Sequence, residues 1–209
     1  MKLSIFGSTG GIGSALLDQA LKAGNDVTVL VRDPQKLLYA DPHLHVVEGD
    51  AKDPSSVQEA IPPGTNAVFN ALGVRPGEGD VIAQATTHMI EAMRSAGVRR
   101  YIGVSASAIY IDRYDPLLLR IAKPILQRVF RAQYDDIRKA EGDLRASTLD
   151  WSMIVPPRLN DTDLTGRYRT AVGHNVPGGF SISRKDAAQS MLAIVDKGET
   201  VGELVFVAT

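Results

Sequence analysis

Lys2-Leu3-Ser4-Ile5-Phe6-Gly7-Ser8-Thr9-Gly10-Gly11-Ile12-Gly13-Ser14-Ala15-Leu16-Leu17 opens as an apolar run, passes glycines spaced GxxGxxG, and continues with apolar residues at helical spacing. A strand that runs through such a turn into a helix is the phosphate-binding entry of a dinucleotide fold. Gly7 permits the tight turn, Gly10 lets the backbone approach a pyrophosphate, and Gly13 lets the helix lie close against the strand. Unpaired amides at the helix start, backed by the positive end of its dipole, then face the phosphates. Gly7, Ser8, Thr9, Gly10, Gly11, Ile12 and Gly13 are therefore candidate cofactor residues.

Outward from this turn, strand-like and helix-like runs alternate, as parallel strands joined by crossover helices do. Strands are predicted at about Lys2 to Phe6, Asp26 to Val31, His43 to Glu48, Ala67 to Ala71, Arg100 to Val104, Trp151 to Val155 and Leu204 to Ala208. Helices are predicted at about Gly11 to Ala23, Pro54 to Ala60, Asp80 to Ala96, Pro116 to Ala146 and Ser183 to Asp196. The fold class is α/β: a doubly wound, mostly parallel Rossmann sheet forming one domain over residues 1–209. Between Ser107 and Pro124 the pattern is irregular, which reads as a kinked, packed helix in preference to a flap or partner surface. Periodicity also fades from Pro156 to Ser181, where a small substrate-side insertion follows a strand's carboxyl end.

Composition narrows the chemistry. With no cysteine, thiolate nucleophiles, disulfides and thiolate-held metals are excluded. His43, His45, His88 and His174 do not form a metal-ligand spacing, so no metal is expected. A net charge of -1 suggests neither a nucleic-acid nor a membrane partner. No apolar window is long enough to cross a bilayer, and a cytoplasmic setting is expected.

The second strand ends in Arg32-Asp33, with Arg32 19 residues beyond Gly13. That end lies beside the adenosine ribose, where an arginine fork suits a 2′-phosphate and an acid suits a 2′-hydroxyl. Arg32 favours NADP(H) over NAD(H); Asp33 either caps the next helix ahead of Pro34 or takes a ribose hydroxyl. The third and fourth strand ends add Asp50 and Ala51, then Ala71, Leu72 and Gly73. Asp50 is placed to accept from the adenine amino group, and Ala71 to Gly73 let the chain pass close to ribose and nicotinamide.

These elements together resemble the atypical short-chain dehydrogenases/reductases of the NAD(P)H-binding, NmrA-like group, the flavin reductases in particular. The likeness rests on Gly7 to Gly13, Val29-Leu30-Val31-Arg32-Asp33, Gly49-Asp50, Leu72-Gly73, Pro156-Pro157, Leu164-Thr165-Gly166 with Tyr168, and Ile182-Ser183 with Lys185-Asp186. It implies NADPH along the strand ends, hydride delivery to a small planar acceptor, and Pro156 against the nicotinamide carboxamide. The family's usual Tyr-x-x-x-Lys pair is broken: Tyr134 is followed by Arg138, with Lys139 one place late and about 100° further round a helix. Ser105, with Ser107 and Tyr134 behind it, is the candidate catalytic group. Arg158 could meet an anionic acceptor, and His174 is expected in a loop at the pocket mouth.

A flavin-like, quinone-like or other small conjugated acceptor needs less proton chemistry from the protein than a carbonyl does. The expected activity is therefore an NADPH-dependent reductase. The alternative is a redox-sensing regulator that binds NADP(H) and acts through a protein partner. A sugar-nucleotide epimerase is disfavoured, because it needs the tyrosine acid/base and a larger C-terminal region. The sequence carries no reading of oligomeric state.

Overall fold

A computed structural model describes residues 1–37, 40–73, 80–115 and 117–209. The strands are β1 (Lys2–Phe6), β2 (Asp26–Val31), β3 (Leu44–Glu48), β4 (Ala67–Asn70), β5 (Arg100–Val104), β6 (Asp150–Val155), β7 (Arg158–Asn160), β8 (Arg169–Val172), β9 (Ser181–Ser183) and β10 (Glu203–Ala208). The helices are α1 (Gly11–Lys22), α2 (Pro54–Glu59), α3 (Val81–Ala96), α4 (Leu117–Val129), α5 (Arg131–Ala146) and α6 (Arg184–Ala193). The main sheet runs β3-β2-β1-β4-β5-β6-β10-β8. Its strands are parallel except β8, which pairs antiparallel with β10. The doubly wound α/β reading holds.

Both faces of the sheet are covered over its inner strands, which is why those are apolar almost throughout, while the edge strands β3 and β8 are largely exposed. Alternate residues Ile5, Val29, Phe69, Ile102 and Ile154 pack under α1 and α6, against Leu16, Leu17, Ala188 and Met191. The residues between them, Phe6, Leu30, Val68, Tyr101 and Met153, face the other way toward Val57 of α2, Met89 and Met93 of α3 and Leu144 of α5. The turn between β1 and α1 is set by contact distances. Gly7 has φ +82°, and a Cβ on it would stand 2.5 Å from the Ala71 carbonyl oxygen. A Cβ on Gly13 would stand 2.0 Å from the Gly7 carbonyl oxygen, so α1 can meet the strand this closely only without a side chain there.

Two expectations change. The helix expected over 116–146 is two helices, α4 and α5, parting at Phe130. Pro124 sits inside α4 without ending it, whereas Phe130 leaves helical geometry with φ -104° and ψ 30°. Pro116 lies outside the described residues. Within 156–181, β7 and β9 form a separate parallel pair, and β8 extends the main sheet.

Buried acids hold helix ends in place. Asp80, the residue before α3, is left-handed at φ 55° and offers no side-chain cap. Asp136 of α5 accepts from the Ile82 and Ala83 amides at 2.9 and 2.8 Å instead. Asp186, in the first turn of α6, is buried and accepts from Ser183 Oγ (2.8 Å), Gly166 N (2.8 Å), Thr165 N (3.0 Å) and Thr165 Oγ1 (3.0 Å). Burial alone would raise its pKa, but the bonds from Ser183, Gly166 and Thr165 outweigh burial and lower it.

A depressed carboxylate pKa stabilises the fold above the ordinary aspartate range and ceases to do so as pH falls through the depressed value. Asp186→Asn is expected to lower the unfolding free energy at neutral pH by about 1–3 kcal/mol. The gap between variant and parent should close on acidification. Urea denaturation at neutral and acidic pH checks this; a gap that does not change with pH would show that the ionised form contributes nothing.

Candidate active site

The carboxyl ends of β1 to β4 enclose a groove lined by Gly7, Thr9, Arg32, Asp50, Ala51, Leu72 and Gly73. A second groove adjoins it, sharing Leu72 and Gly73 and adding Gly10, Gly11, Ile12, Ala71, Val104 and Ser105. The residues singled out after the first four strands thus lie along one path. Ser8 and Gly13 sit beneath it: Ser8 is buried, and its hydroxyl is without a hydrogen-bond partner among the described residues. Asp33 caps the short 3-10 turn Pro34–Lys36 by accepting from Gln35 N at 3.1 Å, and it pairs with Lys36 at 3.3 Å. Asp50 accepts from Lys52 N at 2.9 Å.

The residues present suit a pyrophosphate. The N-cap of α1 is Gly10, which has no side chain to occupy the first-turn amides, and no acid stands in that turn. Arg184, at the start of α6, lies across the same turn: a Cβ on Gly11 would stand 2.5 Å from Arg184 Cδ. Arg184 also pairs with the exposed Asp161 at 2.6 Å. This cation was not identified from sequence, because its contact with Gly11 joins opposite ends of the chain and leaves no local pattern.

Pro156 is placed differently. With Ser107, Tyr134, Pro157 and Arg158 it lines a cavity of about 400 Å³ beyond β5 and β6, closed by Leu119 and Leu126 of α4 and by Phe180. Most of that wall is apolar. Its polar part includes a buried ion pair, Lys123 with Asp115 at 2.7 Å, supported by Asn175 Nδ2 donating to Asp115 (3.0 Å) and by Lys123 donating to the Tyr110 carbonyl (2.8 Å). His174 is half-buried and packs on the Tyr114 ring, with centroids 4.8 Å apart, one layer behind the lining.

Ser105 is buried and donates to Glu141 at 2.6 Å. Tyr110 donates to the same Glu141 oxygen, and its hydroxyl lies 3.2 Å from Ser105 Oγ. Burial, and then the neighbouring Glu141 carboxylate, push the Tyr110 phenol well above its ordinary pKa, so it stays protonated. With the Ser105 hydrogen held by Glu141, Ser105 can offer the groove only a lone pair. Tyr110 and Glu141 were not among the sequence candidates. Glu141 did carry a signal, an acid on the same helical stripe as Ile137, Ala140 and Leu144.

No proton relay assembles at Tyr134. Arg138 turns away to Asp135 (3.1 Å) and Gln127 (3.4 Å), while Lys139 is exposed. Partial burial raises the Tyr134 pKa, which opposes a role as base.

A family model described as NAD(P)H-binding matches residues 7–198. The uncharacterized protein YwnB of Bacillus subtilis is 25% identical over 205 residues, covering 95% of this chain and 92% of that protein. A 3-diazoavenalumate denitrifying reductase from Streptomyces is 31% identical over 130 residues, 56% of this chain, which spans less than half that relative's length at 42%. Among solved structures, a short-chain dehydrogenase/reductase from Veillonella parvula in complex with NADP superposes with a TM-score of 0.81. It is 18% identical, the match covers 100% of this chain and 94% of that one, and the likeness is one of fold.

The buried pair in the cavity wall makes a stability prediction. Lys123→Met alone is expected to cost about 3–5 kcal/mol, because it strands the Asp115 carboxylate in an apolar wall. Adding Asp115→Leu should recover much of that loss. A denaturant-based double-mutant cycle tests it; additive losses would mean the two residues are not coupled.

Proposed function

The chain belongs to the NAD(P)H-binding family, and on that premise we propose that it is a reductase carrying a hydride from NADPH to a flavin-like, quinone-like or other small conjugated acceptor. One observation carries the reading: groove and cavity share a wall. Three close pairs divide between them, with Ser105, Gln133 and Leu159 facing the groove and Ser107, Tyr134 and Arg158 facing the cavity. A hydride passes only between touching atoms, so the donor's nicotinamide and a flat acceptor would have to come into contact at the border marked by these pairs.

NADPH rather than NADH is supported at the end of β2. There Arg32 lines the groove, and an arginine fork suits a 2′-phosphate, while Asp33 caps the turn that follows. Arg184 supports the same dinucleotide from the other end of the glycine turn, as a cation beside the pyrophosphate. A dinucleotide held by the glycine turn, Arg32 and Arg184 would supply two electrons as hydride to the acceptor's conjugated ring. Glu141 and Tyr110 fix Ser105 so that its oxygen accepts a hydrogen bond, which makes Ser105 a positioning group. With no proton relay assembled at Tyr134 among the described residues, the proton comes from solvent, as a conjugated acceptor allows. The Streptomyces relative is named a reductase, which agrees.

The missing relay favours a second reading, an NADP(H)-binding regulator without turnover. Oxidation of NADPH by FMN, riboflavin, a quinone and biliverdin in turn separates the two, read beside titrations of NADPH and NADP⁺. Turnover on one acceptor is expected. Ser105→Ala should lower it by roughly three- to tenfold, and Arg32→Asp should shift preference toward NADH. Arg184→Gln should weaken NADP⁺ binding by roughly ten- to a hundredfold. Tight binding without turnover would sink the reductase, and absence of binding would sink both readings.

A further inference from the structure

The outward face of α4 is its apolar face. Leu118, Ile121, Ile125 and Val129 are 77%, 59%, 62% and 67% exposed. At about 100° per residue they share one arc, and Phe130, at the break before α5, is also exposed. The inward face carries Leu119, Lys123 and Leu126, which line the cavity. A helix packed on a core ordinarily turns polar residues outward, and a contiguous apolar patch of this kind marks a surface that meets something.

Charge indicates what it meets. From residue 116 to residue 134 the basic residues are Arg120, Lys123, Arg128 and Arg131, and there is no acid. Lys123 is turned inward to Asp115, while Arg120, Arg128 and Arg131 are exposed beside the stripe, Arg131 at 3.4 Å from Asp135. The overall charge of -1, which suggests no membrane-surface field, averages this local excess away.

We propose that α4 docks on an anionic lipid bilayer. It lies in the interface with Leu118, Ile121, Ile125 and Val129 toward the acyl chains and Arg120 and Arg128 among the headgroups. A second copy fits this face worse. Across a two-fold contact the same patch meets itself, so arginines would face arginines with no acid in the stripe to offset them. The inference is independent of the reductase reading, since it needs only this helix face.

The whole chain is sedimented with vesicles of phosphatidylglycerol or of phosphatidylcholine. It should follow the anionic vesicles and largely stay behind with the neutral ones, and salt should weaken the association. Ile121→Ser with Ile125→Ser should abolish binding while leaving the circular dichroism spectrum unchanged. Arg120→Gln with Arg128→Gln should cut binding to phosphatidylglycerol by roughly tenfold or more, and it keeps the test readable if the serine variant unfolds. Failure to bind anionic vesicles, or equal binding to both lipids, would overturn the proposal. So would a dimer in analytical ultracentrifugation that the serine substitutions split, which would make a second copy the occupant.

Discussion

The lack of room for a side chain between Gly13 and the Gly7 carbonyl is the constraint from which the rest of the site follows. Without a side chain at 13, α1 seats directly on the end of β1, and its first-turn amides point along the carboxyl edge of the sheet. Gly7 in turn lies so close to Ala71 that the ends of β1 and β4 become one surface. Because α6 packs on α1, Arg184 arrives over the same turn. A steric requirement at two glycines thus collects residues from both ends of the chain into a single groove.

Buried charge does the finer placement. A buried carboxyl group is tolerated only where hydrogen-bond partners surround it, and here the buried acids sit where a helix end or a hydroxyl must be fixed. Asp136 and Glu141 both belong to α5. The first holds the start of α3 and the second orients Ser105, so one helix brackets both margins of the groove. Asp186 fixes Ser183, Thr165 and Gly166 at the start of α6, and the Lys123–Asp115 pair stands in the cavity wall itself.

Much of the frame is legible in sequence because it is governed by local pattern. Strands buried on both faces must be apolar, and β1, β2 and β5 fall on the expected residues. The glycine turn is legible because its spacing is a steric rule. What escapes depends on distant contacts. The break at Phe130 has neither glycine nor proline to announce it, whereas Pro124, which does attract notice, stays inside α4. Strands of three or four residues, such as β7 and β8, are too short to show a period. Asp135 and Asp136 look alike in a run of polar residues, yet the first is exposed and the second buried, because only the second faces the amides of α3. The Ser105–Glu141–Tyr110 cluster is hidden for the same reason, since its members come from different elements.

The position of β10 has a consequence in time. Its partners β6 and β8 both precede it in the chain, and β8 pairs with no other described strand. The first six strands can therefore assemble in chain order, while β8 must wait for the final residues to arrive and close a loop of some fifty residues from β6. Late closures of this kind are the slow ones in folding. The part of the groove that β1 to β5 supply can thus form before α6 brings Arg184 over the glycine turn and before β8 finds its partner.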